Sequence, residues 1–287
     1  MSHTFAVPVY GAAPGLVSLV DSLRAQSTPG SAVVLTTSTP SPELESFARR
    51  SALPLHVNPR RLDIASDWNF ALAAARTELV TLAHQDDRYA PDYVTQLAAA
   101  LGRHPGASLA FCDYVEHTPL GPRATHLNLV VKRYLRRRAF GSAECLTGPR
   151  DKLRLLSLGN PICCPSVMLN RATLGDFSFP AGFRTNLDWM AWLGLARRPG
   201  GFVYVRQRLL SKGVHAASET TATIADRTRE REDRAVFETL WPGSIAALLA
   251  GVYRLGYLAN RVDGSARLQA DAHDPDSHED DADPLQR

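Results

Sequence analysis

The segment TLAHQDDRYAP, residues 81–91, ends an apolar run in two adjacent carboxylates, Asp86 and Asp87. Neighbouring acids repel, so a fold that gathers them does so around a cation or leaves them in solvent. A third carboxylate, Asp188, stands in TNLDWMAWLGLA among Leu187, Trp189, Met190 and Trp192. An acid beside such large apolar side chains is a poor core residue unless paired, and a good general base where it faces a cleft. The competing reading is a helix cap or first-turn acid that complements the helix dipole. Cys112, Cys145, Cys163 and Cys164 lack metal-ligand spacing, and adjacent Cys163 and Cys164 are poor disulfide partners. They read as reduced, partly buried thiols of a cytosolic protein. The stretch GNPICCPSVMLN, residues 159–170, offers a serine and two thiols without a histidine partner, so it reads as cleft lining rather than as a nucleophile.

These side chains need elements to position them. FAVPVY reads as a strand, GAAPG as a turn, and Leu16, Leu19, Val20 and Leu23 then recur at helical spacing. SAVVLTTS is a second strand, SPELESFARR opens a helix with a serine–proline start, and LPLHV is a short third strand. IASDWNFALAAARTE places Ile64, Trp68, Ala71, Leu72 and Ala75 on one helix face. ELVTLAH, the helix PDYVTQLAAALGRHPG and the strand ASLAFCDYVEH follow. This alternation over about 115 residues predicts an α/β fold with a mostly parallel sheet and helices on both faces. Ligands of such sheets bind at the carboxyl ends of the strands, and Asp86 and Asp87 stand at one. The second half is less regular: a basic segment, a tryptophan-rich helix around Asp188, a strand near GFVYV and two C-terminal helices. The expected division is residues 1–115, residues 116–262 as the second half of the same domain, and a disordered acidic tail at 263–287.

A chain of 287 residues, 45% apolar and 21% charged, has the composition of a soluble globular protein with a substantial core. Its longest apolar stretch, IAALLAGVY, is too short to span a bilayer. The N-terminus lacks the basic region and apolar core of a secretion signal. The net charge of +3 hides an asymmetry. From Asp263 onward eight acids face only Arg267 and Arg287, which leaves a body of +9. A basic body suggests an anionic partner: a nucleotide, a phosphate or a membrane surface. Arg123, Lys132, Arg133, Arg136, Arg137 and Arg138 lie in an acid-free run, and LNLVVKRYLRRRAF interleaves the last five with apolar residues. Read as a helix, it puts Val131, Tyr134, Leu135 and Arg138 on one face. It either lies on an anionic membrane or is a solvated helix packed on the sheet. No nucleic-acid motif accompanies it.

The order of VPVYGAAPGLVSLVDSLRAQS, DWNFALAAARTELVTLAHQDDRYAPDYVTQL and NLDWMAWLGLARRPGGFVYVRQRLLSKGVHAASET resembles the family 2 glycosyltransferases of the GT-A fold, from about Phe5 to about Asn260. The resemblance implies an inverting enzyme that moves a hexose or related sugar from a nucleoside-diphosphate sugar to a hydroxyl of a saccharide or lipid-linked acceptor, in bacterial surface polysaccharide or glycolipid synthesis. It makes residues 1–115 the nucleotide-sugar half and assigns a divalent cation, Mn²⁺ or Mg²⁺, to Asp87 and His215. Nucleotide-sugar contacts fall to Pro8, Tyr10, Thr36, Thr37, Asn69 and Asp86, and proton abstraction to Asp188. The site is expected in the cytoplasm, peripheral to the inner face of the plasma membrane. Three departures stand out. VVLTTSTPS puts Thr36, Thr37 and Ser38 where the family carries acids and glycine, so the donor base is left open. His84 replaces a frequent aspartate, and Gly213 replaces an arginine for which Lys212 would substitute. A non-catalytic sugar-nucleotide or carbohydrate-binding protein on the same fold is the rival reading. A dinucleotide oxidoreductase would need a G-x-G-x-x-G turn after the first strand, which is absent.

Overall fold

In β1 (His3–Val9) successive side chains serve two different cores: Phe5, Val7 and Val9 enter one, Ala6 the other. The same period of two recurs along the later strands and builds a sheet covered on both faces. The computed structural model describes residues 1–118, 121–214 and 227–254.

The first half follows the predicted alternation: α1 (Leu16–Arg24), β2 (Ala32–Thr37), α2 (Pro42–Arg50), β3 (Leu55–Val57), α3 (Ile64–Ala74), β4 (Leu79–Leu82), a two-residue β5 (Arg88–Tyr89), α4 (Tyr93–Arg103) and β6 (Ala107–Thr118). Helix starts carry the expected chemistry. Ser41 Oγ accepts from Leu44 N at 3.2 Å with Pro42 in the first turn, and Asp63 Oδ1 accepts from Ser66 N at 2.7 Å. The second half adds β7 (Gly121–Arg123), α5 (Leu127–Phe140), β8 (Cys145–Leu146), α6 (Pro149–Leu156), β9 (Val167–Asn170), α7 (Arg171–Leu174), α8 (Leu187–Ala196), β10 (Gly201–Gly213), α9 (Thr228–Glu238) and α10 (243–254).

The described strands join one sheet in the order β3-β2-β1-β4-β9-β6-β10-β5, with β7 on β6 and β8 on β10. β3, β2, β1 and β4 run parallel, and β10 runs parallel to β6. Between them β9 is antiparallel to both β4 and β6. The VMLN segment, expected as cleft lining, is therefore a fully buried central strand. The two cores lie on opposite faces, and each draws on both halves of the chain: Met168 and Val203 pack with Phe5 and Leu19, while Phe202 and Trp189 pack with Ala6 and Trp68.

The basic helix α5 also departs from expectation. Arg136, read as a surface base, is only 1% exposed; its Nη2 is 2.6 Å from Asp113 Oδ1 and its Nη1 donates to Pro161 O at 2.6 Å. Arg133 Nε lies 3.6 Å from Asp113 Oδ2, and Lys132 Nζ donates to Tyr114 Oη at 2.9 Å. Three bases thus turn inward. The outward stripe is Leu127, Val130, Val131 and Tyr134, continued by Arg137 and Arg138. Among the described residues no helix is long and apolar enough to cross a membrane. The acidic tail and His215 lie outside the described residues.

Candidate functional site

β4 ends at Leu82, and the loop that follows is fixed from both sides. Gln85 Oε1 accepts from Tyr10 N at 2.9 Å, and Gln85 Nε2 donates to Tyr10 O at 3.3 Å, tying the loop to the end of β1. On one flank a Cβ at Gly15 would lie 2.8 Å from Gln85 O; on the other, a Cβ at Gly213 would collide with the Asp86 carbonyl. Only glycine permits such close backbone approach, which explains why Gly213 holds a place where an arginine was expected. Beyond the acids, Ser22 Oγ accepts from Tyr89 N at 3.1 Å, and Gln26 bonds Ala90 O at 2.9 Å and Val94 N at 3.0 Å. The loop is thereby clamped by β1, α1 and β10. A small cleft of ≈ 80 Å³ opens here, bordered by Gly15, Ser18, Asp86, Asp87, Arg88, His117 and Ser211.

Asp87 is 1% exposed. Its Oδ1 accepts from Gly213 N at 2.9 Å, whereas Oδ2 is buried with no hydrogen-bond partner. Burial first, then the charge of Asp86, pushes its carboxyl well above the usual carboxylate range, and Lys212 opposes the shift. An orphaned buried carboxylate oxygen beside a second acid fits a hard divalent cation, which needs only one or two protein carboxylates when phosphate oxygens and water fill the rest. Among the described residues no cluster of three acidic, histidine or cysteine ligands occurs. The His84 ring packs against Trp68, centroids 4.9 Å apart and planes tilted by 40°, and its Nε2 is shut off without a partner. Burial drives its pKa down to about 4, so it is neutral at pH 7.

Near the ends of β1, β2 and β3 the missing acid returns from another element. Ser38 Oγ donates to Asp67 Oδ2 at 2.7 Å and Asn58 Nδ2 donates to Asp67 Oδ1 at 2.8 Å, so α3 supplies a carboxylate beside the threonine-rich strand end. Thr36 and Thr37 are buried, Thr36 paired in register with Pro8. Tyr10 is 58% exposed, with the Arg61 guanidinium 5.9 Å over its ring. Asn69 exchanges two hydrogen bonds with the backbone of Phe179, at 2.9 and 2.8 Å, so its amide ties α3 to that loop.

Asp188 occupies the first turn of α8. Its Oδ2 accepts from Asn160 Nδ2 at 2.9 Å and its Oδ1 from Trp189 N at 2.7 Å. Burial raises its carboxyl above the ordinary range, while the Trp189 N–H and then Lys132, Arg229 and Lys212 pull it back. Asn160 N in turn donates to Tyr253 Oη at 3.3 Å, and the Tyr253 ring stacks 5.9 Å from Trp189. The helix itself is clamped at both ends. Glu232 accepts from the N–H groups of Arg184, Thr185 and Asn186 at 2.6, 2.9 and 3.0 Å. At the other end buried Lys152 donates to the carbonyls of Leu195, Arg198 and Gly200 at 3.4, 2.7 and 2.6 Å. An anion at the N-terminus and a cation at the C-terminus both oppose the helix dipole. Asp87 and Asp188 act electrostatically on the same Cys163 and Cys164, whose thiols burial pushes up, that of Cys163 to about 12. Asn160, in the same segment, holds Asp188 directly. Asp67, Asn160, Lys152 and Glu232 escaped the sequence reading because each is defined by a partner outside its own element.

Solved structures that share this fold include the following three. S. aureus TarS 1-349 in complex with UDP-GlcNAc matches with a TM-score of 0.59 at 14% identity, covering 90% of this chain and 73% of that one. The mannosyltransferase PcManGT from Pyrobaculum calidifontis, in complex with GDP-Man and Mn²⁺, matches with a TM-score of 0.55 at 18% identity, over 95% and 75%. Glucosyl-3-phosphoglycerate synthase from Mycobacterium tuberculosis, with Mn²⁺ and UDP-Glc, gives 0.52 at 16%, over 81% and 77%. The chain spans only 42% of a longer TarS structure. No curated protein sequence matches it. The family model for glycosyl transferase family 2 matches residues 4–172, more than half of the chain, and takes in β1 and the acid loop. The chain belongs to glycosyl transferase family 2.

Proposed function

We propose that this protein is an inverting glycosyltransferase that moves a hexose or related sugar from a nucleoside-diphosphate sugar to a hydroxyl of a saccharide or lipid-linked acceptor, in bacterial surface polysaccharide or glycolipid synthesis. The observation that carries the reading is the buried, unpartnered Oδ2 of Asp87 beside Asp86 at the carboxyl end of β4. Asp87 would hold a Mn²⁺ or Mg²⁺ ion, with His215 as a further ligand; the ion would supply positive charge to the departing diphosphate. Asp86 with Pro8, Tyr10, Thr36 and Thr37 would seat the nucleotide, and Asp67 supports the base end. Asn69 stays in this set only through its position beside Trp68. Asp188, fixed by Asn160, takes the proton of the acceptor hydroxyl as that oxygen attacks the anomeric carbon from the face opposite the leaving group. One such displacement inverts the anomeric centre and needs no enzyme nucleophile, in keeping with the buried, protonated thiols of Cys163 and Cys164. In this reading residues 1–115 form the donor half, 116–262 the acceptor half of the same domain, and 263–287 an acidic tail.

Incubation with a panel of nucleoside-diphosphate sugars and Mn²⁺ or Mg²⁺ tests the reading. One nucleotide class should give metal-dependent thermal stabilisation and slow release of nucleoside diphosphate. Stabilisation without any release, to water or to added acceptors, would favour the binding-protein alternative.

The enzyme would work in the cytoplasm, against the inner membrane face. α5 brings Arg136 to Pro161 and α10 brings Tyr253 to Asn160, so both helices border the segment that holds Asp188. Each exposes an apolar stripe: Leu127, Val130, Val131 and Tyr134 on α5, and Ile245, Leu248 and Val252 on α10. Arg137 and Arg138 extend the first stripe, and each base near an anionic surface contributes about 1 kcal/mol. The protein should co-sediment with anionic vesicles, less so as salt rises, and Arg137→Gln with Arg138→Gln should weaken binding several-fold. Equal recovery on neutral and anionic vesicles would leave only a solvated helix.

A further inference from the structure

The C-terminal end of α5 gathers more positive charge than its surroundings balance. Arg137 and Arg138 stand exposed in the last turn of the helix. Two further exposed arginines converge on the same turn from other elements. Arg154 of α6 donates from Nη2 to Ala139 O at 3.1 Å, and Arg206 of β10 donates from Nη2 to Gly141 O at 2.8 Å and to Ala143 O at 3.1 Å. Carbonyls at a helix C-terminus attract cations, which explains why these guanidinium groups collect here. The nearby acids are spent. Asp151 lies 3.4 Å from Arg154 on the surface of α6, and Glu144 is held by Arg103 and His104. Arg137 and Arg138 form no salt bridge among the described residues. Four exposed guanidinium groups around one helix end make an anion-docking surface.

The chain carries its own complement. Between Asp271 and Asp283 stand seven acids and no arginine or lysine. This segment follows α10, whose surroundings place it beside the arginine cluster. Trp241, just before α10, donates from Nε1 to Ser157 O at 2.8 Å, directly after α6, and Tyr253 in its last turn accepts from Asn160 N. Arg136 of α5 reaches Pro161 O, the next residue along. The chain therefore leaves Arg254 close to both helices that supply the cluster. The 17 residues from 255 to 271 are ample for the distance. Extended, they would reach about 60 Å, against about 21 Å for the whole length of α5. Tethering makes the encounter intramolecular, so exposed ion pairs that are individually weak act together.

We propose that the acidic segment 271–283 docks on the arginine cluster at the C-terminal end of α5 and covers it against external anions. Docking itself does not depend on the glycosyltransferase reading. Its consequence rests on the membrane reading: Arg137 and Arg138 are the bases assigned there to an anionic surface, so the segment competes with lipid for them and restrains membrane binding.

The test uses the full chain with the photo-reactive amino acid benzoylphenylalanine in place of Ser277. Irradiation at low salt should give intramolecular cross-links that map to α5 and α6. Their yield should fall about threefold or more at ~1 M salt, where the screening length is about 3 Å. Arg137→Gln with Arg138→Gln should lower it likewise, and Arg49→Gln with Arg50→Gln on α2 should leave it unchanged. Cross-links scattered over the surface, or equal yields in both arginine pairs, would overturn the docking; cross-linked dimers in place of the intramolecular product would overturn its assignment to the same chain. A second arm neutralises the segment with Glu279→Gln, Asp280→Asn, Asp281→Asn and Asp283→Asn and measures co-sedimentation with phosphatidylglycerol vesicles. Binding should rise several-fold over the parent, and the rise should vanish when Arg137→Gln and Arg138→Gln are added. An equal rise with and without those arginines would reveal general charge repulsion and overturn the competition. Binding to vesicles by neither protein would sink the membrane reading alone, while the cross-links still decide the docking.

Discussion

Asp188→Asn should leave metal-dependent nucleotide binding almost unchanged and cut turnover by roughly 10²–10⁴-fold, the range expected for a lost general base. Asp188 accepts from Trp189 N and from Asn160 Nδ2, one bond on each oxygen. Asparagine keeps one acceptor and turns an NH₂ group towards the other donor, so Asn160 must reorient or lose its bond. That costs about 1–3 kcal/mol of stability and leaves α8 clamped by Glu232 and Lys152. The pH profile separates this role from a structural one. Only the ionised carboxylate accepts a proton, and burial raises the Asp188 carboxyl above the ordinary range. In the parent protein kcat/KM should therefore rise with pH through a midpoint above that of a free aspartate. In Asp188→Asn that acid limb should vanish along with the rate. An unchanged limb on a reduced rate would assign the titration, and the base, to another group.

How far these groups could be read in the chain depended on the range of the forces that place them. Strand and helix periodicity is local, so β1 to α4 and the position of Asp86 and Asp87 at a strand end were legible in the residues themselves. VMLN was not: four apolar residues can line a cleft or fill a sheet, and the choice is made by pairing with Leu79–Thr81 and Leu109–Phe111, some 60 to 90 residues upstream. The same holds for charge. LNLVVKRYLRRRAF gives no local sign that Arg136 is buried, because its acid, Asp113, belongs to β6. Glu232 sits in TREREDRAVFE, which reads as a solvated charged face, yet it caps a helix nearly 50 residues earlier. Asn69 shows the converse. A motif position suggested a ligand contact, and the structure adds two hydrogen bonds to the Phe179 backbone that the motif did not announce. Within the candidate site, the carboxylates were legible from their unusual neighbours, and the residues that hold them were not.

Asp87→Asn should separate stability from function in the opposite sense to an ordinary core mutation. In the metal-free protein Asp87 is a buried carboxylate with one oxygen bonded to Gly213 N and the other without a partner, raised towards its neutral form by burial and by Asp86. Asparagine preserves the bond to Gly213 and the side-chain volume while deleting the charge. Removing an uncompensated buried charge relieves a desolvation cost, so the metal-free variant should be as stable as the parent or more so, by about 1–3 kcal/mol. Were Asp87 a structural acid with a hidden partner, the same change would destabilise the fold. Function should move the other way. With a neutral amide at this position the site loses the charge that holds Mn²⁺ or Mg²⁺, and the diphosphate loses its counter-charge as it departs. Turnover should fall by about 10²–10³-fold or more, as when an electrostatic stabiliser is removed. Denaturation midpoints with chelator and with added Mn²⁺ read both effects at once. The parent should gain stability from metal plus nucleoside diphosphate, and Asp87→Asn should gain little. Full activity of the parent in excess chelator, or an equal gain in the variant, would remove Asp87 from the metal site.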